Sequence, residues 1–226
     1  MRFVCLIFFI GYGAIIFASC SVQKPARSQE ARPLVTPAIV TQRPKIVAFG
    51  DSLTAGFGLT ENESYPYLLQ QQLIVDGYNY EVINAGVSGD TSLGGAERID
   101  WVLGQEDVQI LIIELGANDL LRGMPVQHLR QNLEKIIQRA KAKNVAVLLC
   151  GMLAPPTVGA QYQREFTAVF PELAAKHKIA YLPFVLENIA LQKQLNQADG
   201  IHPNAEGAKI MTANIYKELR PMLQNK

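Results

Sequence analysis

The 226-residue chain is 49% hydrophobic and carries 21 basic against 20 acidic residues, a formal net charge of +1. That is apolar mass for one sizeable core with little left for a second, so one domain is expected. The balanced charge provides no basic field for nucleic acid and no one-signed surface for an oppositely charged partner.

In chain order, residues 1–20, MRFVCLIFFIGYGAIIFASC, open with Arg2 and run apolar to small residues and Cys20. This is the layout of an export signal, and its apolar run is shorter than the roughly 20 residues a spanning helix needs. Phe17-Ala18-Ser19-Cys20 resembles the bacterial lipobox, with Phe17 where that pattern usually has Leu. The resemblance implies lipidation at Cys20. Ser21 after it implies the outer membrane of a Gram-negative cell, with the protein exported to the periplasm. The other reading is a cut nearby with Cys20 incidental. Residues 21–44 hold four prolines and no sustained period, and are expected to be a flexible tether. If Cys5 leaves with the signal and Cys20 is acylated, only Cys150 remains, so no internal disulfide is expected and Cys150 reads as a small buried hydrophobe.

From Lys45 to the end, a single α/β domain is expected. KIVAFG (45–50), YEVINA (80–85), VQILIIEL (108–115), NVAVLLC (144–150) and IAYLPF (179–184) have the length and β-branched content of buried strands. Helices are expected notably over 65–77, 125–143, 161–178 and 204–224, the last with Ala208, Met211, Ile215 and Leu219 at helical spacing. Alternation of this kind predicts a parallel five-stranded sheet covered on both faces, with ligands outside the carboxyl ends of its strands.

The polar chemistry lies after those strands. Gly50-Asp51-Ser52-Leu53 follows the first, Asn84-Ala85-Gly86-Val87-Ser88-Gly89-Asp90 the second, and Gly116-Ala117-Asn118-Asp119 the third. Each suits an ordinary turn, and each also suits backbone approach to a ligand and stabilisation of an oxyanion. Ser52 reads either as a helix cap or as a nucleophile, and the two are compatible. A nucleophile needs a base with an acid to orient it. His128 and His177 fall inside helices among charged neighbours and read as solvated. His202 follows Asp199 by three residues just before the last helix, a spacing that lets the carboxylate fold back onto the ring, and Pro203 suits the helix start. No Cys/His or His/carboxylate spacing suggests a metal, and no Gly-rich phosphate loop suggests another cofactor. The G-x-S-x-G elbow of α/β-hydrolases is absent.

Gly50-Asp51-Ser52-Leu53, Gly86 within AGVSGD, Gly116-x-Asn118-Asp119 and Asp199-x-x-His202 resemble, in order, the four motif blocks of the SGNH (GDSL) hydrolases. FGDSLTAG, NAGVSGDTS, ELGANDLLRG and DGIHPN are similar to the bacterial thioesterase, lysophospholipase and arylesterase branch. The resemblance covers about residues 45–222. It implies a three-layer, flavodoxin-like α/β/α fold with Ser52 as nucleophile, His202 as base and Asp199 as its orienting acid. It further implies an oxyanion hole from the N–H groups of Ser52 and Gly86 and the Asn118 amide. Ser88 is the rival nucleophile.

The resemblance places a substrate loop at 151–162, which suggests an acyl chain along Leu153, Ala154 and Pro155; the loop reads equally well as closing the core. The expected protein is a monomeric ester hydrolase acting on aryl, short or medium acyl esters or lysophospholipids, with acyl thioesters within reach. A carbohydrate O-deacetylase on the same fold and a non-catalytic envelope lipoprotein are the alternatives.

Overall fold

The computed structural model describes residues 43–224. The signal segment 1–20, Cys20 and nearly all of the 21–44 tether lie outside the described residues. Five strands, β1 (Lys45–Gly50), β2 (Glu81–Gly86), β3 (Val108–Glu114), β4 (Ala146–Cys150) and β5 (Ala180–Leu182), form one sheet in the order β2-β1-β3-β4-β5. Every neighbouring pair is parallel. The helices are α1 (Ser52–Ala55), α2 (Tyr65–Val75), α3 (Ser92–Val102), α4 (Ala117–Leu121), α5 (Val126–Ala142), α6 (Ala160–His177) and α7 (Ala205–Leu219).

The chain steps from β1 to one edge, then returns past β1 to β3 and continues outward. Right-handed crossovers therefore send α2 to one face and α3, α5 and α6 to the other. The packing agrees: α3 lies against α5 and α5 against α6, while α2 packs on α7. The three-layer α/β/α reading holds. The reversal between β1 and β3 is the switch point at which such sheets open a crevice. Register sharpens this, because Gly50 sits opposite both Gly86 and Glu114, so the ends of β1, β2 and β3 lie level.

Burial explains the strands. Ile46, Val47, Ala48 and Phe49 of β1 and Ile110 to Ile113 of β3 are within 2% of complete burial, as befits a central strand covered on both faces. Helix α5 buries Leu129, Leu133, Ile136, Ile137 and Ala140, one stripe at 3.6-residue spacing. Cys150 is wholly buried in this core.

Several boundaries differ from expectation for local reasons. The fourth strand starts at Ala146 because Asn144 takes a left-handed φ of 58° and the Val145 N–H closes α5 on the Ala140 carbonyl. Pro183, which lacks an N–H, ends β5 early, and Pro221 turns the end of the last helix into a 3₁₀ turn over Arg220–Met222. Pro203 does not open α7: it bridges to Asn196, and the Asn204 side chain caps the helix by accepting the Glu206 and Gly207 N–H groups. Helix α3 is not among the helices named from the apolar spacing. Its Gly95 is required by close packing, since a Cβ there would lie 2.4 Å from Leu115 Cδ1. His177 is not simply solvated; its ring meets Glu134 Oε1 at 2.9 Å between α5 and α6. His128 is exposed, as expected.

Candidate active site

Strand β1 ends at Gly50, where any Cβ would collide with Thr54 Oγ1 and Glu114 Oε2, so the chain can turn tightly into α1. The cap of α1 is Asp51, not Ser52: the Asp51 Oδ1 atom accepts the Leu53 N–H at 3.1 Å. Ser52 is the first helical residue. Its side chain is thereby released from capping, which removes the competition between the two roles.

His202 arrives on a braced loop. Gln197 N–H donates to the His202 carbonyl, and the Gln197 amide donates to the Phe57 and Pro203 carbonyls. Asp199 Oδ1 accepts the N–H groups of Ile201 and His202 at 3.0 and 3.1 Å, and Oδ2 lies 2.7 Å from His202 Nδ1. Those bonds, that of the imidazole foremost, hold the Asp199 carboxyl down at about 2. An ionised Asp199 accepts, so Nδ1 carries the proton and Nε2 presents its lone pair. Ser52 Oγ lies 2.8 Å from that Nε2. Ser52, His202 and Asp199, 150 residues apart in the chain at their extremes, form one continuous relay in which the hydroxyl proton can pass to Nε2 as Oγ attacks. The Phe57 ring sits 4.7 Å from the imidazole and holds it from the side.

Asn118, in the first turn of α4, donates its Nδ2–H to Asp51 Oδ2 at 3.0 Å. Gly86 departs from expectation. Its N–H is committed to Asn84 Oδ1 at 3.0 Å, and its lack of a Cβ admits the α1 backbone, which a Cβ would meet at 2.2 Å. The same loop offers Gly89 instead. It is exposed, has a left-handed φ of 82°, and no acceptor among the described residues takes its N–H. Three struts fix this loop. Arg98 donates to Asp90, to the Ala85 carbonyl and to the Gly50 carbonyl, and stacks 3.9 Å over Phe49; Arg122 donates to the Gly89 carbonyl; Asp119 accepts from Ser92. Sequence reasoning missed Arg98 and Arg122, and only their position beside the motif blocks could have flagged them.

Beneath the site are two buried carboxyls. Glu114, at the end of β3, accepts the Thr54 hydroxyl at 2.8 Å and the Asp51 N–H at 3.4 Å through Oε2, while Oε1 is buried without a partner. Burial, reinforced by the nearby Asp51, holds the Glu114 carboxyl well above the usual range. Burial also pushes Asp51 up to about 6, against the lowering hydrogen bonds from Leu53 and Asn118.

Beside Ser52 and His202 a small cleft is lined by Leu53, Phe57, Leu59 and Met211. The expected substrate loop is not part of that lining. Ala154 is buried in the core, 4% exposed, so it cannot receive an acyl chain; Leu153 and Pro155 are exposed. Ser88 is exposed on the β2 loop, and the imidazole faces Ser52.

Residues 48–210 match the GDSL-like lipase/acylhydrolase family. The chain is 40% identical over 178 residues to the esterase TesA of Pseudomonas aeruginosa, covering 79% of this chain and 89% of the relative. It is 35% identical over 180 residues to thioesterase 1/protease 1/lysophospholipase L1 of Escherichia coli, covering 80% and 85%. A crystal structure of TesA superposes with a TM-score of 0.77 at 40% identity, over 79% of this chain and 99% of that one. An α/β/α sheet with a serine relay at its switch point defines a hydrolase of the SGNH type. The chain belongs to the GDSL-like lipase/acylhydrolase family.

Proposed function

We propose that the protein hydrolyses carboxylic esters through an acyl-enzyme on Ser52. The unbroken chain from Asp199 through His202 to Ser52, at 2.7 and 2.8 Å, carries this reading. The Ser52 Oγ–carbonyl bond forms while the hydroxyl proton moves to His202 Nε2. The oxyanion is met by the Ser52 N–H, the Asn118 amide and, in place of Gly86, the Gly89 N–H. Collapse breaks the bond to the leaving alcohol, which takes the proton from Nε2, and water repeats the sequence on the acyl-serine.

Relatives named esterase, lysophospholipase and thioesterase support an acyl-ester substrate. Phe57, Val87, Leu121, Leu153 and Ile201 also support it: they are between 47% and 63% exposed on segments that follow strand ends, an apolar rim suited to an acyl group. The protein acts as a monomer, exported and lipid-anchored through Cys20, where it meets lysophospholipids and small esters; thioester cleavage is a capability of the same site. Assays of the purified chain against palmitoyl-CoA, lysophosphatidylcholine and aryl esters test this order. Good turnover of the thioester with none of the others would reverse it.

A further inference from the structure

Asp51 and Glu114 are wholly buried acids that the relay does not use, and no cation pairs with either among the described residues. Their partners differ. Both Asp51 oxygens accept N–H groups, from Leu53 and from Asn118, an all-acceptor role that suits a carboxylate better than a carboxylic acid, which must also place an O–H donor. Glu114 accepts through Oε2 alone, and no described group donates to its buried Oε1, so a negative charge there would go half uncompensated.

We propose that Asp51 is the positioning residue of the oxyanion site: ionised Asp51 holds the Asn118 amide with its N–H toward the reacting carbonyl, while Glu114 beneath it stays neutral. This rests on the hydrolase reading above. One Nδ2–H of Asn118 is spent on Asp51 Oδ2, and the other is left to point at the oxyanion. When Asp51 gains a proton, its O–H and the Asn118 NH₂ become two donors face to face. The amide then gains by turning its Oδ1 toward the new O–H, and this exchange places an acceptor where the oxyanion needs a donor. Protonation of Asp51 therefore removes the donor without touching the relay.

The groups facing Asp51 fit this division. Glu114 comes from β3, His202 from the loop before α7 and Asp90 from the loop after β2; Tyr65 from α2 reaches it through Thr54. Arg98 of α3 is committed to Asp90 and to the Ala85 and Gly50 carbonyls. Cys150 of β4 lies behind Glu114. Burial raises the Asp51 carboxyl to about 6, and a charged His202 imidazole works the other way, favouring ionised Asp51.

The test is the pH dependence of kcat/KM of the full chain on para-nitrophenyl butyrate, with Asp51→Asn, Asn118→Ala and the double variant. In the wild type the acid limb should approach a slope of two, one proton on His202 and one on Asp51. Asp51→Asn should lose about a hundredfold in kcat, as removal of an oxyanion donor does, keep KM within about threefold, and show a slope of one. The double variant should be no more than about threefold slower than Asn118→Ala, because both changes act on one donor. A wild-type slope of one, or losses that multiply in the double variant, overturns the proposal while the hydrolase stands. Should Asp51→Asn fail to fold, the wild-type slope alone decides. Wild type without ester turnover, or Ser52→Ala with full activity, overturns the hydrolase reading and this one with it.

Discussion

Asp199 and His202 divide the work of a single proton relay, and their surroundings set how it responds to pH. Asp199 titrates near 2, so it stays ionised down to that point and contributes nothing to loss of activity at mildly acid pH. The loss on acidification falls instead to the groups that must be free of a proton, the imidazole that accepts the Ser52 proton and Asp51 beside it. Asp199→Asn should lower kcat on the order of 10³–10⁴-fold at neutral pH, since the ring can then adopt the wrong tautomer; a loss below about tenfold would separate Asp199 from the relay. Glu114 makes a second prediction. Its native carboxyl titrates above the unfolded one, so between the two the folded state binds more protons and stability falls as pH rises. Glu114→Gln removes that slope: its melting temperature should exceed the wild type's at pH 8 and the difference should shrink towards pH 4.5. A constant difference across pH would mean Glu114 is not the titrating group. The relay was readable in the chain because the four motif blocks together resemble those of the SGNH hydrolases; Asp-x-x-His is a local spacing, but on its own it left both Ser52 and Ser88 as candidates. Gly86 misled because its N–H is taken by the Asn84 side chain two residues before it, a local bond the motif block does not announce, and Glu114 was hidden because it stands inside an apolar strand with its partners, Thr54 and Asp51, far away in sequence.

At the level of the elements, strand and helix identities followed from period and length, and the errors gathered where glycine or proline acts locally. The Gly94-Gly95 pair lowers helix propensity within α3 while permitting its approach to Leu115, so the reason the segment packs is the reason it reads poorly as a helix. Helix α5 carries the opposite signal, and its apolar stripe is wholly buried. Leu133→Ala should cost about 2–5 kcal/mol of stability in thermal or urea unfolding, and a cost near zero would contradict the packing. Arg98 ties α3 to the ends of β1 and β2 and to the loop bearing Gly89. Arg98→Met, which keeps the stem and removes three donors, should destabilise by about 3 kcal/mol and lower kcat more than it raises KM, because it loosens an oxyanion loop and leaves the acyl rim in place. Equal kcat with a lower melting temperature would make Arg98 a strut only.

For the whole molecule, the order β2-β1-β3-β4-β5 does what no single motif can. It brings residues 51–52, 86–90, 116–119 and 199–202 to the carboxyl end of one sheet, so four scattered blocks become one site. Alternating strands and helices implied that gathering, but which face receives the acyl group depends on side-chain burial, and there Ala154 turned inward. In the proposed function the N-terminal segment bears on where the enzyme works rather than on how. Cys20→Ser should move the protein from the membrane fraction to the soluble one with kcat unchanged; retention at the membrane would remove the lipid anchor from the account. The most direct measurement is hydrolysis of a para-nitrophenyl ester series, acetate to palmitate, by the purified chain and by Ser52→Ala. The wild type should turn over esters beyond acetate and the variant should lose at least about a thousandfold. Activity confined to acetate would redirect the enzyme to deacetylation, and undiminished turnover by Ser52→Ala would contradict the central assignment.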